Sequence, residues 1–306
     1  MNGDCTVNTH DLSIFSEDWL ESSGYINPAE PDHAGLVVHY DFNETAGTTL
    51  ADSSGNEYTG TFFTGVDQNP ADISGRIDPG RLDNSFHFSA RIAHAGISMP
   101  ADVFTENSIS QEITVAVWIK NAHPEEAPDS GAFMWEFRQW DGVSTQAGPR
   151  VLAVEASDWG NSYGLWDDSR SIWYEHEWQL HTEWRHYAFV RDADSLTMYV
   201  DGLSKAEGYS SGSPMSAPGL LNIGISADRA PGNTSGLHDG FTGNMDDWKI
   251  YSYALSQQEI LGLAETGPVH AALRSPADLY RDDEEIVNLK DYAVLAEHWL
   301  ESPLEP

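Results

Sequence analysis

Between about residue 35 and residue 255 the chain is a succession of short runs of β-branched and aromatic residues, with Gly, Asn, Asp and Pro between them. The runs "GLVVHYDF", "ITVAVWIK", "AFMWEFRQW", "RVLAVEAS", "SIWYEHEW", "RHYAFVRD", "LTMYVDG" and "LLNIGIS" are short and bounded by turn residues, as strands are. Many strands and few helices predict an all-β sandwich or barrel. The helical pattern of this region is "LSQQEILGLAETG", with Ser256 as N-cap, Glu259 completing a capping box and Gly267 as stop.

A second pattern stands at the two ends. "VNTHDLSIFSEDWLES" (residues 7–22) and "VNLKDYAVLAEHWLES" (residues 287–302) agree at eight of sixteen positions without a gap, which marks a duplication. Ile14, Trp19 and Leu20, like Val294, Trp299 and Leu300, give each copy the apolar face of a helix. Pro- and Gly-rich stretches, "SSGYINPAEPDHAG" and "ETGPVHAALRSPADLY", separate the copies from the strands and read as linkers.

Composition narrows the partners. With 15 Lys and Arg against 49 Asp and Glu, the net charge is −34. Such a surface repels nucleic acid and anionic membranes, and no basic patch stands out in the sequence to receive a polyanion. No run approaches the roughly 18 apolar residues of a membrane span. Cys5 is the single cysteine, so no disulfide forms within the chain. The chain opens on the polar "MNGDCTVNTHD" with no signal peptide, as if inside a motif, so a piece of a longer secreted protein is expected.

Several strings together resemble a known family. "GLVVHYDFNETAGTTLADSSGNEYTGTF", "SFHFSA", "ITVAVWIK", "EWRHYAFVRDADSLTMYVDGL" and "GFTGNMDDWKIYSYALSQQEI" resemble, in order, the strands of laminin G-like, concanavalin A-type jelly rolls. The resemblance implies a two-sheet antiparallel jelly-roll sandwich over residues 35–267, flanked by short α-helices, with the terminal strands adjacent. It further implies a structural calcium ion where those strands meet, held by Asp41, Asn43, Asp52 and Asp246 or Asp247. The alternative is that Asp52 caps a turn and Asp246 sits at a strand edge.

The ends resemble a second family. "NGDCTVNTHDL" is similar to the calcium loop and following helix of dockerin-type repeats, relatives of the EF-hand. This implies oxygen ligands at Asn2, Asp4, Asn8 and Asp11, and at Asp278, Asp282, Asn288 and Asp291 in the other copy. The expected organisation is a partial repeat and helix at 1–22, a linker at 23–34, the jelly roll at 35–267, and a linker with the second repeat helix at 268–306. The helices either dock a partner protein or pack on each other through Trp19 and Trp299.

Candidate chemistry lies in the aromatic middle. Seven of the eleven tryptophans fall between residues 135 and 184. Indole faces stack on the C–H faces of sugars, and neighbouring Glu, Asp, Gln and Arg bond the hydroxyls. Alternation puts Trp135 and Phe137 on one face of their strand, and Glu136, Arg138 and Trp140 on the other. In "SIWYEHEW" it groups Trp173, Glu175 and Glu177 against Tyr174, His176 and Trp178. Trp135, Trp140, Trp159, Trp166, Trp173, Trp178, Glu136 and Arg138 are therefore the candidate sugar-binding set. Trp140, Trp159 and Trp166 are expected to be exposed, and Trp184 to be core.

Glu175 and Glu177, two apart on one strand, could form the carboxylate pair of a glycosidase. Tyr174, His176 and Arg138 could serve a lyase. "EHEW" lacks the central Asp and third carboxylate of the Glu-x-Asp-x-Glu run used by laminarinase- and agarase-type enzymes of this fold. The expected function is a secreted polysaccharide-binding module of a polysaccharide-degrading system. The alternatives are a glycoside hydrolase or polysaccharide lyase on the same scaffold, and an adhesion or assembly module that binds protein.

Overall fold

In a computed structural model, residues 28–65, 68–88, 95–120, 132–144, 146–157, 162–168, 170–175, 182–226 and 240–264 are described. Strand β8 (Glu112–Lys120) shows how alternation builds the fold. Its Ile113, Val115, Val117 and Ile119 join the hydrophobic core, which leaves Thr114, Ala116 and Trp118 on the opposite side.

The strands form two antiparallel sheets. The eight-stranded sheet runs β15 (Leu203–Tyr209), β14 (Ser195–Val200), β13 (Arg185–Asp192), β8, β17 (Gly243–Tyr251), β6 (Asn84–Phe88) and β5 (Ile77–Pro79), with β1 (Leu36–Tyr40) also on β17. The nine-stranded sheet runs β12 (Arg170–Glu175), β11 (Ser162–Asp167), β10 (Arg150–Ser157), β9 (Ala132–Arg138), β16 (Leu220–Ile223), β7 (Gly96–Ser98), β3 (Gly60–Thr64) and β2 (Thr49–Leu50). β4 (Asn69–Pro70) pairs with β3. The first and last strands of the sandwich lie side by side, Leu36 opposite Tyr251, as the jelly roll requires.

The sheets meet through interlocking aromatic rings. Trp135 of β9 meets Trp248 of β17 and Phe189 of β13 edge-on, each at 6.0 Å between centroids. Phe62 meets Phe86 at 5.1 Å, and Tyr163 meets Tyr187 at 5.0 Å. One ion pair is sealed among them: Arg191 of β13 and Asp167 of β11, 3.3 Å apart. The Arg191 guanidinium also donates to the carbonyls of Gln111 and Ser213, so the buried charges are hydrogen-bonded as well as paired. The β14–β15 hairpin turns on Asp201 and Gly202, both at positive φ, the conformation that favours an Asp-Gly pair.

The chain divides into two compact units, residues 31–256 and residues 1–30 with 257–306. The first holds the sandwich. The first also holds the single-turn helix α1 (Val103–Glu106); in the second, helix α2 (Gln257–Ala264) starts directly after Ser256, where the capping box placed it. The Ala29 amide donates to the Gln258 carbonyl at 2.9 Å. Cys5 and both duplicated segments, with Trp19 and Trp299, lie outside the described residues. Several strands are absent from the predicted runs, among them β15 and β11, "SYGLWD", whose Gly, Ser and Asp look like loop residues.

Candidate functional site

The outer side of the nine-stranded sheet carries an indole platform. On β11, Tyr163, Leu165 and Asp167 are buried towards the core, which turns Gly164 and the half-buried Trp166 outward. On the edge strand β12, Ile172 is buried and Trp173 is 39% exposed. Register sets Trp173 opposite Gly164, and Ser171 opposite Trp166. A Cβ at Gly164 would stand 2.7 to 2.8 Å from three atoms of the Trp173 benzene ring. The indole therefore lies down across its neighbouring strand, in space that only glycine leaves open. Its Nε1 donates to Ser171 Oγ at 3.1 Å. Trp166 meets it edge-on, 5.6 Å away at 85°.

Beside the indoles lies a charged network. Arg150, which opens β10, has its guanidinium 4.8 Å from the Trp166 ring centre and 5.0 Å from that of Phe133. Its Nε donates to Glu136 Oε1 at 2.8 Å, and Arg138 Nε lies 2.9 Å from the same oxygen. Ser226 Oγ donates to Glu136 Oε2 at 2.7 Å. Two guanidiniums thus converge on one buried carboxylate, a grouping the sequence did not reveal.

The other candidates separate. Trp135 is 0% exposed and packed between the sheets, so it is a core residue and no sugar can stack on it. Glu136 does face outward, but it is fully buried beneath its arginines and orients them instead of meeting a ligand. Trp184, expected in the core, is half-exposed, because β13 begins one residue later; Lys120 Nζ stands 5.9 Å from its ring centre. Tyr174 lies against the core on the side opposite Trp173, so it does not join Arg138 as a lyase pair would require. Glu175 ends β12, paired with Ser162, and its side chain lies outside the described residues. Trp159, His176, Glu177 and Trp178 lie outside them too. Trp140 stands in the β9–β10 hairpin, half-buried, its Nε1 donating to Ser144 O at 2.9 Å.

The proposed calcium ligands also part company. Asp52 accepts the amides of His39, Ser54 and Tyr58 at 2.9 to 3.0 Å, which is the work of a turn cap. Asp41 accepts from the Asn43 amide and Ser53 Oγ, and Asn43 Oδ1 accepts from the Asn84 amide. Asp247 is held by His39 and Lys249; burial pushes its pKa up, but these partners bring it to about 2. Asp246 differs. Its Oδ2 accepts the amides of Arg81 and Leu82 at 2.8 and 2.7 Å, while Oδ1 is buried and has no hydrogen-bond partner among the described residues. Burial lifts its pKa to about 6. Among the described residues, no group of three or more His, Cys, Asp or Glu is placed to hold a metal.

Comparisons place this architecture among known proteins. No curated protein matches the sequence. Among solved structures, domain 4 of AbnA, a GH43 extracellular arabinanase from Geobacillus stearothermophilus solved with arabinotriose, is 21% identical. The match covers 75% of this chain and 98% of that one, at a TM-score of 0.52. The botulinum neurotoxin serotype C1 binding domain is 13% identical over 76% of this chain and 52% of that one, at 0.50. Trypanosoma rangeli sialidase in complex with DANA is 13% identical over 83% and 37%, at 0.52. At these identities the likeness is one of fold. The family model of the concanavalin A-like lectin/glucanases superfamily, in its laminin G-like form, matches residues 93–261, more than half of the chain, and the protein belongs to that superfamily.

Proposed function

We propose that the protein binds a neutral polysaccharide by stacking a sugar ring on Trp173, beside Trp166 and the Arg150 that covers it, and does not cleave it. The observation that carries this reading is the exposed Trp173 indole seated on Gly164, a flat apolar surface fixed before any ligand arrives. Arg138 and Arg150 supply donors beside it, and Glu136 holds them in place. Glu136 itself is too enclosed to act on a glycosidic bond. A neutral chain suits a molecule of net charge −34 better than a densely charged one.

The arabinotriose bound to the arabinanase domain puts arabinan first among the glycans to try. Retention of the protein on arabinan, xylan, galactomannan, laminarin, agarose and alginate tests the proposal, with released reducing ends and unsaturated products measured alongside. Retention lost in Trp173→Ala, without product from the native protein, is the expected result. Product release that disappears in Glu175→Gln or Glu177→Gln would replace binding by catalysis.

We extend the proposal to a secreted, multi-domain setting in which the terminal repeats dock a partner protein, as the dockerin-type resemblance implies. A structural calcium ion belongs to the same proposal and would be centred on Asp246, whose buried Oδ1 has no hydrogen-bond partner among the described residues. Calcium accepts amide and carbonyl oxygens as readily as carboxylates, so such a site needs no third acid. A melting temperature unchanged by chelator, on protein shown to be calcium-loaded, would remove the ion from the proposal.

A further inference from the structure

Two clefts open where the β9–β10 hairpin meets the segment before β16. One, of about 420 Å³, is lined by Trp140, Asp141, Ser144, Gln146 and Ser216 among others. The other, of about 330 Å³, is lined by Arg150, Asp168, Ser213 and Pro214 among others. Gln139 and Ser216 belong to both, so the clefts adjoin. Arg150 lines the second cleft while its guanidinium covers Trp166, so this one residue links the cleft to the indole platform, whose two indoles line neither cleft. Trp173, Trp166, Arg150, Gln139 and Trp140 thus form a series from the outer sheet face to the hairpin, and the buried Asp167 and Met215 share the wall of the second cleft.

The far end of this path is as well prepared as the near end. Asp141 accepts the amides of Val143 and Ser144 at 2.9 and 2.7 Å, and Ser144 Oγ at 2.5 Å. These hydrogen bonds hold its carboxyl at a pKa of about 2 and fix the hairpin tip. Trp140 is pinned through its Nε1 to the Ser144 carbonyl, so its polar edge is satisfied from within. At the tip Val143 is 84% exposed, an apolar side chain held in water. A loop ordered by its own side chains loses little entropy when a ligand arrives. Gln139, Gln146, Ser144 and Ser216 offer donors and acceptors without net charge, which suits hydroxyls.

We infer that the Trp173–Trp166 platform is one end of a longer groove that passes Arg150 to Trp140, and that the groove takes a linear neutral glycan several rings long. This rests on the sugar-binding reading of the platform. At a strand spacing of about 4.8 Å and a rise of about 3.3 Å per residue, the register places Trp173 and Trp140 on the order of 25 Å apart. A disaccharide cannot touch both ends.

Calorimetric titration with cello-, xylo- and α-1,5-arabino-oligosaccharides, dimer to hexamer, tests the groove. In a ladder that binds, affinity rises at least tenfold from dimer to hexamer. Trp140→Ala and Gln146→Ala remove the rise and leave the dimer's affinity alone, whereas Trp173→Ala weakens every length. Gln146→Ala, a change in a cleft wall, decides the matter should Trp140→Ala fail to fold. Affinity that is flat with length, or hexamer binding untouched in both cleft variants, overturns the groove and leaves the platform standing. No binding of any ladder by the native protein overturns both.

Discussion

The two sheets carry nearly the same ingredients on their outer sides and use them in opposite ways. On the nine-stranded sheet, Trp166 and Trp173 lie beside Arg150 and Glu136, and Trp173 is 39% exposed. On the eight-stranded sheet, Trp118 lies under Arg81, whose guanidinium is 4.9 Å from the ring centre, and Asp246 and His186 flank it in register. There the tryptophan is only 3% exposed. The turn after β5 accounts for the difference: Arg81 covers the ring while the Arg81 and Leu82 amides bond Asp246. Trp173 sits on β12, the last strand of its sheet's order, and among the described residues no strand is hydrogen-bonded to its far edge. A tryptophan on an outer sheet face is a platform or a plug according to what folds over it.

The comparison breaks most clearly at the plug. Trp118→Ala should cost about 3–5 kcal/mol in denaturant-measured stability, the usual range for emptying a site of that size, while folded protein still binds glycan. Stability unchanged by that substitution would mean the eight-stranded face is not sealed by its tryptophan.

His186, beside Trp118, gives the pH counterpart. Burial first, and then the Lys249 charge, lower its pKa to about 3, against a weaker opposing pull from Asp247. The folded-state value lies below the unfolded one, so between about 6.5 and 3 the unfolded chain binds the extra proton. Stability contributed by neutral His186 is complete above that window and is lost as pH falls through it, by about tenfold in the unfolding constant per pH unit. In calcium-free protein Asp246, lifted to about 6, tilts the curve the other way between the ordinary carboxylate value and about 6. The difference between native and His186→Phe curves isolates the histidine, and a difference independent of pH would refute the assignment.

At the platform, binding should suffer and stability should not. Trp173→Ala is expected to weaken glycan binding about tenfold, roughly 1.4 kcal/mol, with the melting temperature nearly unchanged. The smallest effect should come from Gly164→Val. A β-branched residue suits a strand, but its Cβ takes the space of the Trp173 ring. Binding several-fold weaker in a protein at least as stable is the expected pair of readings. Unimpaired binding would show that the indole need not lie on Gly164.

How far the site could be read from sequence depends on distance along the chain. Alternation within "AFMWEFRQW" correctly grouped Glu136 and Arg138 against Trp135 and Phe137, because a strand's two faces are a local property. It could not show that Arg150 would share Glu136 with Arg138, since that depends on how the hairpin between them pairs. It could not place Gly164 under Trp173 either, and "SYGLWD" did not even read as a strand. The meeting of Arg138 with Arg150 was hidden from alternation for the same reason: they are neighbours only across strands.

The amino-acid sequence by itself determined the sandwich, through alternating runs that bury an apolar face, and the strongly acidic net charge. It also determined the start of α2 after Ser256 and the side of the strand on which Trp135 falls. Tertiary structure alone decided which tryptophans meet water, which carboxylates are spent on turns, as Asp52 is, and which are buried within a strand, as Asp246 is. The physical reason is one of range. Propensity and alternation act between residues a few positions apart, whereas exposure and ion pairing are set by strand register and covering loops that join residues tens to hundreds of positions away.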